Sequence, residues 1–89
     1  MLVLPSELTH KQATACLRML VQGLPSQNGP AVVVDAASLQ RFDSSALSVL
    51  LEFRRASLAH GKGFEIRHLS TRLTDLARLY GVDGLLLPA

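Results

Sequence analysis

The chain has 89 residues, 48% of them hydrophobic and 18% charged, with a formal net charge of +2. That length allows a single domain over residues 1–89, which buries about 60–65% of its unfolded surface and leaves little core for an enclosed pocket. The hydrophobic share argues against disorder, and the scattered Lys and Arg, with three Phe, one Tyr and no Trp, lack the cation clusters and stacking platforms of a nucleic-acid binder.

Residues 1–4 are a short apolar strand candidate closed by Pro5. Thr9-His10-Lys11-Gln12 has the pattern of a capping box, in which Thr9 takes a free N–H and Gln12 reaches back. The helix expected next carries Ala13, Cys16, Leu17, Leu20 and Leu24 on one face and Lys11, Thr14, Arg18 and Gln22 on the other. Gly23-Leu24-Pro25 stops it, and residues 25–30 form a loop. Cys16 is the sole cysteine, which excludes an internal disulfide and a cysteine-based zinc site.

Ala31–Asp35 is a continuous run of β-branched type, as expected of a central strand covered on both faces. A short polar link leads to Phe42-Asp43-Ser44-Ser45-Ala46-Leu47. There a helix is expected from residue 44 to about residue 59, with a wide apolar arc of Ala46, Leu47, Val49, Leu50, Phe53, Ala56 and Ser57. Its wet stripe is Ser48, Glu52 and Arg55. A carboxylate and two hydroxyls thus reach the first turn of a helix, where unpaired N–H groups and the positive dipole end favour oxygen ligands and negative charge.

His60-Gly61-Lys62-Gly63 reads as a helix stop, with His60 as a C-terminal cation or polar cap. Residues 64–68 alternate as a half-exposed strand does. Ser70 or Thr71 caps a third helix whose inner face is Leu73, Leu76, Ala77 and Tyr80, ended by Gly81. Leu85-Leu86-Leu87-Pro88 is a short apolar tail, expected to be a strand that docks on the core or on a partner. Alternation of strand and helix implies an α/β layer structure with parallel crossovers.

The polar residues exclude more chemistry than they offer. Ser44 and Ser45 lack the elbow glycines of Gly-x-Ser-x-Gly and a histidine oriented by an acid, so no catalytic residue is expected and Asp43 or Ser44 is read first as a helix cap. His10, His60 and His68 do not pair at metal-ligand spacing, and Gly61-Lys62-Gly63 lacks the phosphate-loop spacing, so neither a metal nor a cofactor is expected. No run approaches the roughly 20 apolar residues of a membrane span, and the N-terminus lacks a secretory pattern. A cytoplasmic protein with no direct membrane insertion is the expectation. An interaction site remains. A hydroxyl in the first turn of a helix can touch a partner or accept a phosphoryl group of about −1.5 to −2 charges, and a penalty of ~2.7 kcal/mol there weakens binding about a hundredfold.

Val34-Asp35 followed by Leu39-Gln40-Arg41-Phe42-Asp43-Ser44-Ser45-Ala46-Leu47 resembles the signature of the STAS domain family, the sulphate-transporter and anti-sigma-factor-antagonist domains. In the bacterial antagonists the pattern is Asp-Ser-Ser-Gly-Leu, with Gly where this chain has Ala46, and the first hydroxyl after Asp accepts phosphate. Leu76-Ala77-Arg78-Leu79-Tyr80-Gly81-Val82 with Leu87-Pro88 is similar to the small STAS subunit of the Mla phospholipid-transport ABC system (MlaB type). The resemblance implies a STAS-like (SpoIIAA-like) mixed β-sheet with packed helices, one strand short because the family's first strand is missing, or with the exposed edge covered by a partner.

The same resemblance implies a non-enzymatic subunit that binds and supports an ABC-transporter ATPase subunit, at the inner face of the inner membrane through that partner. Ser44 would be the contact, Asp43 would orient the turn, Ser45 would complete the polar patch, and Ser48 and the stretch from Thr71 to Asp75 would frame it. The alternative is an anti-sigma-factor antagonist switched by phosphorylation of Ser44 by an anti-sigma factor kinase.

Overall fold

A computed structural model describes residues 1–87. In chain order the elements are β1 (Leu2–Val3), β2 (Glu7–Leu8), α1 (Ala13–Gly23), β3 (Ala31–Asp35), β4 (Arg41–Phe42), α2 (Ser45–Ala59), β5 (Gly63–Arg67), α3 (Thr71–Leu79) and α4 (Asp83–Leu86), with a 3-10 turn at Leu24–Ser26 between α1 and β3. This is a mixed α/β arrangement. Three strands form a parallel sheet in the order β1-β3-β5, and β2 pairs with β4 in a second, two-stranded parallel ladder.

β3 is central, as its β-branched run predicts, and its register sets Val32 against Phe64 and Val34 against Ile66. Its burial corrects the expectation of cover on both faces. Val32 and Val34 are fully buried, whereas Ala31, Val33 and Asp35 are only half-buried. Period-two side chains put the first pair on the helix-covered face and the second set on a thinly covered one.

The segment before α1 supplies two strands rather than one. Leu2–Val3 joins the main sheet beside β3 at its edge, and after Pro5 the chain steps across to pair Glu7 with Arg41 and Leu8 with Phe42. Leu4 and Leu8, both buried, pin this step to the core. At the far end of α1, Gly23 lies so close to Leu2 that a Cβ there would stand 2.9 Å from the leucine Cδ2.

α2 is the spine of the core. Ala46, Leu47, Val49, Leu50, Phe53 and Ser57 are buried along it, and Ser57 donates its hydroxyl hydrogen to the Phe53 carbonyl at 2.9 Å. α1 packs on it through Cys16 and Leu20, and Phe64 of β5 meets Phe53 edge-to-face with ring centroids 6.0 Å apart. His60 closes α2 as the C-terminal cap, its backbone N–H on the Ala56 carbonyl at 3.1 Å.

Two expectations fail at the C-terminal end. Tyr80 is no part of the inner face of α3. The helix ends at Leu79, and Tyr80 is its cap residue and 55% exposed. Gly81 follows with φ of +70°, a conformation that glycine adopts without strain, and turns the chain back. The apolar tail is a single helical turn, α4, rather than a strand. It docks through buried Leu86 and leaves Leu85 exposed. Pro88 lies outside the described residues. None of the described helices is long and apolar enough to cross a membrane.

Candidate functional site

Three chain segments meet at the N-terminal tip of α2, and local hydrogen bonding decides which side chains remain available there. The Asp43 carbonyl accepts the Ala46 N–H at 3.0 Å, and Asp43 Oδ1 accepts the Ser45 N–H at 2.8 Å. This is the bonding of an N-cap residue, with Ser44 already in helical geometry at φ −62° and ψ −16°. The open choice between Asp43 and Ser44 as cap is thereby resolved in favour of Asp43. The Ser44 hydroxyl makes no capping bond, and the residue is exposed.

Asp43 has a second set of partners. Its Oδ2 accepts the backbone N–H of His10 at 3.1 Å and lies 3.4 Å from the His10 ring Nδ1. The Ser45 N–H is the main cause holding the Asp43 carboxyl down at about 2; desolvation opposes it, and the His10 N–H, then the Ser45 side chain and the His10 ring, add to the lowering. The site therefore carries a fixed negative charge next to a neutral, solvent-facing alcohol.

His10 stands where it does because residues 9–12 form a turn instead of the reciprocal capping box. Gln12 does reach back, its Oε1 accepting both the Thr9 N–H (2.9 Å) and the Thr9 hydroxyl (2.8 Å). Thr9, however, accepts the Lys11 N–H at 3.3 Å rather than a helical donor, and α1 begins only at Ala13. Half of the expected box is present, one turn early.

Two open grooves flank the tip. The larger, about 630 Å³, has Phe42, Asp43 and Ser44 on one side and Arg72, Asp75, Leu76, Leu79 and Tyr80 of the α3 segment on the other. Arg72 forms a wall, its guanidinium 4.9 Å from the Phe42 ring centroid and its Nη1 donating to the Gln40 carbonyl at 3.3 Å. The smaller groove, about 290 Å³, lies between Ser44, Leu47, Ser48 and Leu51 of α2 and Tyr80 and Val82. Ser44 and Tyr80 border both.

Of the residues singled out by sequence, Asp43, Ser44, Ser45 and Ser48 gather at this tip, with Ser45 half-buried and Ser48 exposed. Thr71 is exposed in the first turn of α3 but lines neither groove, while Asp75 lines the larger one. Of the two capping candidates for α3, it is Ser70 that accepts the Leu73 N–H, at 3.1 Å. Sequence reasoning missed Tyr80 and Leu79, whereas Arg72 falls inside the stretch expected to frame the site and Phe42 opens the motif, each without the groove-lining role that the fold gives it. A readable signal existed for Leu79, which is 77% exposed. It falls on the polar face of a helix whose buried residues are Leu73 and Ala77, and a large apolar residue on that side marks an interaction surface better than a core.

A second aspartate–histidine contact lies at the strand ends. Asp35 Oδ1 accepts the Ala37 N–H and lies 2.9 Å from His68 Nδ1, and these contacts, the backbone one foremost, lower its carboxyl pKa. Among the described residues no three His, Cys, Asp or Glu side chains converge as a metal ion would require.

A family model described as "Mlab, STAS domain" matches residues 1–88. A comparison with curated proteins finds no match.

Proposed function

The chain belongs to the MlaB-type STAS domain family, and from that premise we propose that it is a subunit without catalysis of its own that binds and supports the ATPase subunit of a phospholipid-transporting ABC complex. Domains of this family generally act as non-enzymatic interaction modules. The contact is the tip of α2, with Ser44 at its centre. Asp43 holds the turn, Ser45 and Ser48 extend the polar patch, and Leu79 and Tyr80 supply the apolar rim. The protein is carried to the inner face of the inner membrane by its partner.

The observation that supports this reading is the division of labour at the tip. Asp43 takes the capping bond, so the exposed Ser44 hydroxyl is left over. An alcohol with no structural duty, between two grooves bordered by a largely exposed Tyr80, has the polar-beside-aromatic character of interface centres. A standard partner footprint takes about 20–30 residues per side, a large share of a chain this small.

The test is co-purification. The wild-type chain retains an ABC-type ATPase subunit, and Ser44→Asp, folded as judged by circular dichroism, loses it. Normal retention by Ser44→Asp would remove Ser44 from the contact. The alternative, an anti-sigma-factor antagonist, is favoured by the same uncommitted hydroxyl, since a kinase needs an exposed acceptor. Intact mass after incubation with a cognate kinase and ATP separates the two, because a stoichiometric phosphate adduct at Ser44 supports the antagonist.

A further inference from the structure

The two carboxylate oxygens of Asp43 serve different ends. Oδ1 closes the cap of α2 on the Ser45 N–H at 2.8 Å. Oδ2 faces the turn before α1, where it takes the His10 backbone N–H at 3.1 Å and lies 3.4 Å from ring Nδ1. His10 and Asp43 are 33 positions apart in sequence, so this contact ties two otherwise separate segments together at the tip of α2.

We propose that His10 is a positioning residue for this tip: its ring, when protonated, holds Asp43 in the orientation that caps α2 and leaves Ser44 exposed, so that the presentation of Ser44 varies with pH. Nδ1 can donate to a carboxylate oxygen only while it carries a proton. The imidazolium always carries one there, whereas the neutral ring does so in only one of its two tautomers. The backbone N–H bond persists in either state, so deprotonation loosens the clamp without releasing it. The other charged side chains around the pair are Lys11 on the same turn, Glu7 and Arg41, which pair with each other on the β2–β4 ladder leading into it, and, from α3, Arg72 and Asp75, which line the groove with Asp43. All are of types that keep their charge where imidazole changes its own. His10 is 74% exposed and can be replaced without harm to the core.

The test needs no partner. In the uniformly ¹⁵N-labelled chain the Ser44 and Ser45 amide shifts are followed from about pH 5 to 8, the range over which imidazole titrates. The wild type and His68→Gln, in which the other aspartate–histidine contact is removed, are expected to show a sigmoid change at both amides. His10→Gln, which keeps the backbone donor, is expected to lose it. A flat profile in the wild type, or a sigmoid that survives His10→Gln, overturns the proposal. Any effect of pH on docking rests on the role proposed above for Ser44, but the amide profile does not, so the two readings can fail separately.

Discussion

Two helices of this chain begin at a serine, and the two serines do different work. At α3, Ser70 is in extended geometry (φ −71°, ψ 158°), and its hydroxyl accepts the Leu73 N–H, so the side chain is consumed by the helix it starts. At α2 the residue before the serine is an aspartate, which takes the equivalent bond and pushes Ser44 one position into the helix. The order of two residues thus turns a cap into an exposed group. Docking through a helix tip would need the second arrangement, because a hydroxyl already committed to the backbone cannot also bond a partner without losing its cap.

The contrast presumes that α2 is anchored by its buried face and does not depend on its tip. Phe53→Ala tests this with the largest effect expected. Phe53 is fully buried, packed on Phe64 and central to the apolar arc, so truncation should cost about 3–5 kcal/mol. Urea unfolding followed by far-ultraviolet circular dichroism measures it. A cost below about 1 kcal/mol, the range of a lost cap, would mean that the ends of α2 matter more than its face.

Ser70→Ala should lower stability by about 1 kcal/mol, the usual cost of deleting a capping hydroxyl. The same experiment with Thr71→Ala separates the two candidates that the sequence left open, and little change is expected because Thr71 is exposed and has already passed into the helix.

Acid should distinguish the caps further. The Asp43 carboxyl is held at about 2, below the ordinary value near 3.9 for the unfolded chain. A group depressed in this way stabilises the fold above its unfolded value and loses that contribution as the pH falls through the folded one. The stability difference between wild type and Asp43→Asn should therefore be constant above about pH 5 and shrink between about pH 4 and 2. A serine hydroxyl has no such titration, so the Ser70→Ala difference should stay level over the same interval. Thermal melts at stepped pH measure both.

What could be read from the sequence divides along similar lines. The apolar arc of α2, the buried face of α1 and the centrality of β3 all follow from periodicity sustained over several residues, and the packing respects each of them. β4 has two residues, too few for any period, and exists only because Ser6 accepts the Gln40 and Arg41 N–H groups and brings Phe42 beside Leu8. Tyr80 has the spacing of a core residue, yet the helix stops one position before it. Whether the ring turns inward or outward is then decided by Gly81 and the docking of Leu86, which lie beyond any local pattern. The tip residues Asp43, Ser44 and Ser45 were visible as chemistry. The far wall of the groove was legible only in part: the stretch expected to frame the site supplies Arg72 and Asp75, whereas Leu79 and Tyr80 reach it only through the tertiary placement of α3.

The smallest stability effect carries the most weight for function. Ser44→Ala removes a hydroxyl that caps nothing from an exposed position, so it should shift stability by less than about 0.5 kcal/mol, as surface substitutions usually do. Ser44→Asp should be equally well folded, or slightly more stable, since an acidic group suits the positive end of the helix. Paired urea titrations of both variants beside Ser70→Ala make the comparison internal to one fold. If Ser44→Ala costs as much as Ser70→Ala, the two serines are the same device and Ser44 has a structural duty after all. If it costs nothing while the aspartate variant still loses its partner, then the alcohol is held at the tip of α2 for contact alone, and the cost of maintaining the helix falls on Asp43.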